Sequence, residues 1–474
     1  MSPRPRIGLV PLYLELYDRS LPELRSEQGA FLERAAEGLR AAGLEVAVAP
    51  ICCVRSDVEA ALRSFAALPP DLIVTLHLAY SPSLESADPL AAQELPVLML
   101  DITPDAEFGP DVDPARLLHN HGIHGVQDLA AVLRRRGKPY RVVAGPASSP
   151  EVFRRALEHA RAARAAKALR SMRALRIGRP FAGMGDFQVE EATLRRRLGI
   201  EVQEIRAADI IPDAEAVSDE EIEAEMERDR KSFLVDAPEE VHRSTTRAGL
   251  GLRRHLEGGR FGAFSMSFLA FDRSEGPLST VPFLEASKAM ARGIGYAGEG
   301  DVLTASLVGA LASGFGSTTF TEMFCPDWKG GTVFLSHMGE FNPELAAGKP
   351  RLYEKPFPFT PARNPACLAC APRPGPWTLV NLAPGPEESF RLIVAPVDVL
   401  GDGTHPGFRD WVRGWMRPRV PLEEFLEEFS RLGGTHHSAL VLGDHAEGIE
   451  ALAGHLGIEA AVIGERGTGQ GRTG

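Results

Sequence analysis

Carboxylates and imidazoles recur in four short segments in the second half of the chain, and together they could do chemistry. The segments are GEGD at 298–301, TEM at 321–323, SHMGE at 336–340 and GGTHHS at 433–438. Each alone has an ordinary structural explanation, such as an exposed loop residue, a hydrogen-bonded histidine at a strand end, or a turn. Glu322 is the most informative, because a charge inside an apolar run is costly unless it is paired or binds a metal.

Taken together, the four segments can supply a chemically coherent set of two carboxylates and two imidazoles. This mixture suits a borderline-hard divalent cation such as Mn2+ or Co2+ better than a cation that prefers thiolates. An octahedral cation with four protein ligands keeps two positions for neighbouring oxygens of an open-chain sugar. With the sugar carbonyl polarised in this way, a carboxylate could move a proton between adjacent carbons through an enediolate. Such chemistry needs no redox cofactor and no Ser or Cys nucleophile.

The elements that must position these side chains begin with a regular alternation of apolar runs and helical patterns in the first third of the chain. The runs are IGLV (7–10), VAVA (46–49), LIVTL (72–76), VLML (97–100) and YRVV (140–143). Buried strands that alternate with helices, such as the pattern over 29–42, predict a parallel sheet with helices on both faces. No GxGxxG follows the first run, so we expect no dinucleotide site.

The remainder of the chain changes character at about Ser317. Before it, a long helix predicted over 150–174 leads into strands at LRIG (175–178), EVQEI (201–205) and GAFSMSF (262–268). After it, glycine and proline increase around short runs at TTFTEMF (318–324), GTVFLSH (331–337), WTLVNLA (377–383) and FRLIVAP (390–396). The predicted class is α/β, with two Rossmann- or flavodoxin-like domains followed by a β-rich, barrel-like domain. The predicted domains are 1–170, 171–316 and 317–474.

Composition argues against several classes of function. The 474 residues carry a formal net charge of -12, whereas nucleic-acid binding needs clustered Lys and Arg. No apolar stretch reaches the about 18 residues that would indicate a membrane span, and the N-terminus lacks a signal-peptide pattern. Five cysteines, an odd number, indicate a reducing cytoplasm. Cys367 and Cys370 have zinc-knuckle spacing but lack a second pair of ligands.

The acidic and histidine segments resemble those of a known family, the L-arabinose isomerases. The similar segments are GYAGEGD (295–301), SHMGE (336–340) and GGTHHS (433–438), in the family's order. The resemblance implies a metal held by Glu299, Glu322, His337 and His437, the last being the second of two adjacent histidines. It also implies that Glu299 and Glu322 move the proton between C1 and C2 of the sugar. The expected cation is Mn2+, with Co2+ or Mg2+ as alternatives.

Other segments extend the resemblance to most of the chain. Leu76-His77, followed by Ser81-Pro82, resembles a loop of the family. His124-Gly125 resembles the segment whose histidine reaches the substrate of a neighbouring subunit, and Phe268 and Phe181 match apolar pocket residues. The resemblance therefore implies a homo-oligomer, a trimer or a hexamer, with its active site between subunits. The expected partners are a small sugar and further copies of the chain, with no nucleic acid and no membrane.

The sequence also departs from the family's pattern. Val302-Leu303 stand where the family has Trp-Lys, and Met323-Phe324 stand where it has Asp-Tyr. These departures leave the four implied ligands intact and leave the substrate open among L-arabinose, another pentose, a deoxyhexose and a modified sugar. Two alternatives remain. The chain could be another metal-dependent sugar enzyme, such as an aldolase or epimerase, or a homologue that binds sugar without catalysis.

Overall fold

The apolar runs of the N-terminal third form a five-stranded parallel sheet in the computed structural model, which describes residues 4–464. The strands are β1 (Arg6–Leu12), β2 (Glu45–Val48), β3 (Leu72–His77), β4 (Val97–Thr103) and β5 (Tyr140–Pro146). All the predicted runs of this region are confirmed as strands. Their order is β2-β1-β3-β4-β5, which is the flavodoxin-like arrangement. The sheet belongs to the first of two units, which divide between Lys167 and Ala168.

The helices of this region are α1 (Glu15–Ser20), α2 (Pro22–Ala41), α3 (Arg55–Ser64), α4 (Ser83–Ala91), α5 (Gly122–Arg135) and α6 (Pro150–Arg170). Helix α2 begins at Pro22 rather than at Gly29, because proline at the first helical position has its φ already set for a helix. Helix α6 ends at Arg170 rather than at Ala174, because the next strand begins at Arg173. Apolar side chains of the helices pack on both faces of the sheet.

The second unit contains the remaining elements. Its strands are β6 (Arg173–Ile177), β7 (Glu201–Ile205), β8 (Leu234–Val235), β9 (Ala263–Met266), β10 (Gly295–Gly298), β11 (Thr318–Asp327), β12 (Thr332–Ser336), β13 (Arg351–Glu354), β14 (Ala366–Ala369), β15 (Gly375–Pro384), β16 (Phe390–Val399), β17 (Gly414–Pro418), β18 (His437–Leu442) and β19 (Glu459–Val462). Its helices are α7 (Glu191–Thr193), α8 (Ile211–Glu215), α9 (Asp219–Ser232), α10 (Glu239–Gly259), α11 (Phe283–Ala291), α12 (Val302–Phe315), α13 (Leu422–Arg431) and α14 (Ala446–Leu456).

Four parallel strands form the first sheet of this unit, as described over residues 168–464, in the order β10-β9-β6-β7. The sequence analysis did not predict strand β10 of this sheet or the helix α12 that follows it. Strand β10 is short and contains two glycines, so it lacks the β-branched residues that identify a strand. Helix α12 is buried along almost its whole length and is apolar on every side, so it has no amphipathic period. A small sheet of β14, β13 and β8 lies in the same unit.

The β-rich region closes into a barrel. Within residues 168–464, six antiparallel strands follow the order β15-β18-β11-β12-β17-β16, and β16 pairs back with β15. Strand β19 adds in parallel to β16. Trp377, Met416 and Phe425 lie in the barrel's apolar core. The predicted α/β class with a barrel-like C-terminal part is confirmed, whereas the three domain boundaries stay a prediction. Within residues 4–464, no helix has both the length and the apolar character needed to cross a membrane.

Candidate metal centre

Three of the four implied ligands meet at one place in the second unit. One ligand atom each from Glu299, His337 and His437 lies within 4.8 Å of the other two. Glu299 directly follows β10, His337 directly follows β12, and His437 is the first residue of β18. The carboxyl end of a parallel strand and two strands of the barrel therefore bring together side chains that are far apart in sequence.

The backbone at Glu299 has an uncommon conformation. Its φ of 63° lies in the left-handed region, which costs a residue other than glycine about 1–3 kcal/mol. The Glu299 N–H donates to the carbonyl oxygen of Met266 at 3.0 Å, and its own carbonyl accepts from the N–H of Phe181 at 2.9 Å. Bonds to two neighbouring segments hold this conformation, which is the pattern of strain kept at functional positions.

The two glycines that flank Glu299 are required by close contacts. A Cβ atom on Gly298 would lie 2.9 Å from Cε1 of His337. Gly300 has a φ of 87°, and a Cβ there would lie 2.6 Å from Cα of Pro180. The Gly-Glu-Gly sequence thus allows Glu299 to approach the histidine while the chain turns sharply into α12.

His437 is oriented by a carboxylate on the side away from the cluster. Its Nδ1 lies 3.0 Å from Oδ2 of Asp301, and both side chains are fully buried. The other oxygen of Asp301 accepts from the N–H of Thr304 at 2.8 Å, so Asp301 also caps the N-terminus of α12. Nε2 of His437 is buried, makes no hydrogen bond within residues 4–464, and lies 3.4 Å from Oε2 of Glu299.

His337, like His437, has a carboxylate bonded to its Nδ1. Its Nδ1 lies 2.8 Å from Oε2 of Glu340, and the hydroxyl of Tyr296 donates to the other oxygen of Glu340 at 2.7 Å. His337 and Glu340 are both buried. A carboxylate on Nδ1 leaves Nε2 free as the donor towards a metal, and such partners are typical of metal-binding histidines. Both histidines of the cluster therefore present Nε2 to the same space.

Glu322 lies beside this cluster. On β11 it pairs with His437 of β18 on one side and with Ser336 of β12 on the other, so its side chain shares a face with His437. Oε2 of Glu322 lies 3.9 Å from Nε2 of His337, and 19% of its side chain is exposed. The Glu322 side chain makes no hydrogen bond within the described part of the chain. It is therefore the least constrained carboxylate of the site.

The charges around the cluster favour a cation. Burial acts to raise the pKa of Glu299, but the imidazoles of His436, His437 and His337 outweigh it and hold that pKa well below its usual range. Burial acts to lower the pKa of His437, but Asp301 and Glu299 prevail and raise it to about 10. Two free imidazole nitrogens beside carboxylate oxygens form a donor set that suits a borderline-hard divalent cation. The residues thus fit the implied metal.

The adjacent residue, His436, has a different environment. Its Nδ1 lies 2.7 Å from Oδ2 of Asp186, which also accepts the backbone N–H of His436 at 2.9 Å. Nε2 of His436 lies 3.8 Å from Oε2 of Glu299, at the edge of the cluster. Phe187, next to Asp186, stacks on the ring of His437 with 5.4 Å between centroids. The loop that carries Asp186 and Phe187 therefore supports both histidines.

The residues implied for the substrate lie in two places. The rings of Phe181 and Phe268 are 5.7 Å apart, next to the backbone of Glu299. His124 belongs to the N-terminal unit, where it lies exposed on α5 with its ring 4.2 Å from that of His121. The substrate contacts of these residues stay predictions.

Sequence reasoning did not single out the carboxylates that support the histidines. Asp301, Glu340 and Asp186 each bond Nδ1 of a histidine, and Tyr296 supports Glu340. For Asp301 and Glu340, the local sequence contains an indication of this role. An Asp just before an apolar helix is typical of a helix cap, and a Glu three residues after a histidine can reach its ring. Nothing in the sequence links Asp186 to a histidine 250 positions away.

Cys367 packs close to Gly339 of the SHMGE segment, since a Cβ atom on Gly339 would lie 2.7 Å from Cβ of Cys367. Cys367 and Cys370 are both buried and unpaired, Cys367 within β14 and Cys370 just after it. Burial raises the pKa of Cys370 to about 12 and that of Cys367 further, so both thiols stay protonated at neutral pH. Neither belongs to the metal-ligand cluster found within residues 4–464.

Comparisons with known proteins find L-arabinose isomerases. The model of the L-arabinose isomerase central domain matches residues 179–313, and that of the C-terminal domain matches residues 317–459. An L-arabinose isomerase of Nocardioides sp. is 29% identical over 357 residues, which cover 73% of this chain and 70% of that protein. The L-arabinose isomerase of Cellvibrio japonicus is 26% identical over 406 residues, which cover 83% and 80%. Through its central and C-terminal domains, the chain belongs to the L-arabinose isomerase family.

Proposed function

We propose that this protein is a divalent-metal-dependent isomerase that interconverts an aldose, L-arabinose or a related sugar, and its ketose. The observation that carries the proposal is the convergence of Glu299, His337 and His437 within 4.8 Å, with a buried carboxylate behind each histidine. The similarity to L-arabinose isomerases over most of the chain supports the same reaction class. Mn2+ is the expected cation, with Co2+ and Mg2+ as alternatives.

The chain's own residues divide the work of holding the cation. Nε2 of His337 and Nε2 of His437 would bind it, because Asp301 and Glu340 already occupy the opposite nitrogens. Glu299 and Glu322 would complete the ligand set. A cation held there polarises a sugar carbonyl and makes the neighbouring C–H more acidic.

Glu322 and Glu299 would then move the proton between C1 and C2. The Glu322 carboxylate has no hydrogen bond to give up among residues 4–464, so it is free to approach the sugar and to take a proton. Glu299 is fixed by its backbone bonds and lies close to His436 and His437, so it would share the proton transfer while also helping to hold the cation. Return of the proton to the adjacent carbon, together with transfer of the hydroxyl proton from O2 to O1, completes the isomerisation.

We also propose the surroundings that the family implies. The enzyme is cytoplasmic and homo-oligomeric, as a trimer or hexamer, and His124 contacts the sugar bound by a neighbouring subunit. Phe181 and Phe268 provide an apolar side of the pocket.

A panel of aldoses, incubated with the protein and Mn2+ and assayed for ketose, tests the proposal. Ketose formation supports it. Cleavage products or an epimeric aldose would instead indicate an aldolase or epimerase on the same scaffold. A thermal shift with sugar but without any product would indicate a homologue that only binds sugar.

A variant tests the role of Glu322. Glu322→Gln should lower turnover by about 10²–10⁴-fold, the range for loss of a general acid or base, while the melting temperature stays close to that of the wild type. Glu344→Gln, at an exposed position in the same region, is the matched control and should keep full activity. Wild-type turnover in Glu322→Gln would contradict the proton-transfer assignment.

A further inference from the structure

Four phenylalanine rings form one continuous surface beside the candidate metal centre, which we name the aromatic wall. It consists of Phe181, Phe268, Phe357 and Phe359. The ring of Phe268 lies 5.7 Å from Phe181, 5.6 Å from Phe357 and 6.2 Å from Phe359, measured between centroids. Phe357 and Phe359 are 5.1 Å apart. The tilted and edge-to-face contacts are those that aromatic rings prefer.

The backbone of Glu299 links the aromatic wall to the cluster. The carbonyl of Glu299 accepts from the N–H of Phe181, and the N–H of Glu299 donates to Met266, two residues before Phe268. Phe181, the first residue of the aromatic wall, is therefore hydrogen-bonded directly to the backbone of Glu299, a carboxylate residue of the candidate metal centre. A sugar gripped there through C1 and C2 would have its far end within reach of these rings.

The segment from 355 to 365 delivers two of the rings and is held firmly. It contains four prolines, which restrict the backbone before any ligand binds. Its polar side chains are used to anchor it. Thr360 donates to the carbonyl of Phe271, Arg363 donates to the carbonyl of Ser274 and to Glu240, and Asn364 donates to Glu354.

Because these polar side chains of the 355–365 segment are already bonded, the group that the segment offers to a ligand is the aromatic ring of Phe359. Phe357 is buried, whereas Phe359 is 56% exposed even though it packs on Phe268 and Phe357. A restricted segment that holds a large apolar ring half open at the far side of the aromatic wall has the form of a specificity element.

We propose that the aromatic wall receives the end of the sugar distant from C1, that this end is a methyl group, and that Phe359 determines the preference. The preferred substrate class is thus a 6-deoxyaldose. This inference rests on the proposed isomerase function and deepens it.

The physical reason is the hydrogen-bonding need of a hydroxyl group. A hydroxymethyl end placed against four phenyl rings would lose water without gaining a partner, whereas a methyl end has no such need and gains apolar contact. Apolar pockets discriminate against an added hydroxyl only moderately, so the expected preference is about ten- to a hundred-fold in kcat/KM.

Pairs of aldoses that differ only at C6 test the inference. They are D-fucose and D-galactose, L-fucose and L-galactose, and L-rhamnose and L-mannose. With the Mn2+-loaded protein, the deoxy member of the accepted pair should have the higher kcat/KM by about ten-fold or more. Binding of the corresponding alditols, which cannot isomerise, should follow the same order by calorimetry.

A variant assigns the effect to its residue. Phe359→Asn should reduce the preference to about three-fold or less by giving the hydroxyl a partner. Trp328→Asn, at another exposed aromatic position in a turn, should leave the preference unchanged. Equal use of both members of the accepted pair, or an unaltered preference in Phe359→Asn, would overturn the inference while the isomerase function stands. Absence of ketose from every aldose would overturn the proposed function itself.

Discussion

The buried histidines of the candidate metal centre and buried His77 of the N-terminal unit have sharply different environments. In the candidate metal centre, His337 and His437 each have a buried carboxylate on Nδ1 and a free Nε2 that faces the cluster. In the N-terminal unit, His77 at the end of β3 is equally buried, yet neither of its ring nitrogens makes a hydrogen bond within residues 4–464. Burial alone therefore does not identify a metal ligand. His242, which is buried and bonds Asp229 at 2.9 Å, shows that a carboxylate partner alone does not either. The histidines of the cluster combine a carboxylate on Nδ1 with an Nε2 that faces other ligand atoms.

Packing explains the environment of His77. A Cβ atom on Gly125 would lie 2.3 Å from the His77 ring, and one on Gly122 would lie 2.5 Å from the His77 carbonyl oxygen. The start of α5 thus packs directly on this residue. Burial lowers the pKa of His77 to about 4, and the charge of Asp128 offsets this only in part. His77 is a neutral packing residue, whereas the carboxylates around His437 favour a positive charge.

The largest difference between the two regions should appear in metal binding. His437→Ala should weaken Mn2+ binding by more than the about 10–100-fold that loss of a supporting residue costs, because a direct ligand is lost. His77→Leu should leave the affinity and stoichiometry unchanged. Calorimetric titration with Mn2+ measures both. Equal affinities in the two variants would remove the distinction between the two environments.

The next difference is the response to acid. The folded-state pKa of His77, about 4, is below the unfolded value of about 6.5, so the unfolded chain takes up the proton first. The contribution of neutral His77 to the free energy of unfolding is fully present above about pH 6.5. It is lost as the pH falls towards 4, by about 3 kcal/mol at most. Urea unfolding followed across this range measures the loss. If His77→Leu shows the same pH dependence as the wild type, the assignment to His77 is wrong.

Two substitutions at Asp301 separate its role behind His437 from its role as a helix cap. Asp301→Asn and Asp301→Ala both remove the charge behind His437 and should weaken Mn2+ binding by about 10–100-fold. Asn still caps α12, so only Asp301→Ala should lose a further about 0.5–2 kcal/mol of unfolding free energy. Calorimetry and urea unfolding measure the two effects. Identical stabilities of the two variants would argue against the capping role.

The smallest effect should come from Tyr296. Tyr296→Phe removes the hydroxyl that supports Glu340, a step further from the cation than Glu340 itself. We expect Mn2+ affinity to fall by less than about ten-fold, since a neutral hydrogen bond contributes about 1 kcal/mol. Glu340→Gln, which acts directly on His337, is the comparison and should lower Mn2+ affinity by more than Tyr296→Phe does. A larger loss in Tyr296→Phe than in Glu340→Gln would reverse the proposed order of support.

The sequence predicted the fold best where strands are β-branched and alternate with amphipathic helices. Runs such as VLML at 97–100 became strands with nearly the predicted bounds. It did not predict β10, which is rich in glycine, or α12, which is apolar on all sides, because neither has a period that identifies its type. Yet these two elements position Glu299 and Asp301, so the site depends on elements that local pattern cannot reveal.

The candidate ligands could be named from the sequence because the segments that carry them resemble those of a known family, whereas each segment alone has an ordinary structural explanation. Their supporting partners could not be named as readily. Asp301 and His437 are 136 positions apart, and their contact exists only because α12 begins beside β18. The difference between His77 and His337, both at strand ends, likewise depends on three-dimensional neighbours.

Pulsed electron paramagnetic resonance of the Mn2+-loaded protein tests the central claim most directly, because it detects nitrogen atoms bound to the ion. We predict couplings from two imidazole nitrogens in the wild type and from one in His337→Ala or His437→Ala at saturating Mn2+. A spectrum without nitrogen coupling, or one that neither substitution changes, would contradict a cation held by His337 and His437.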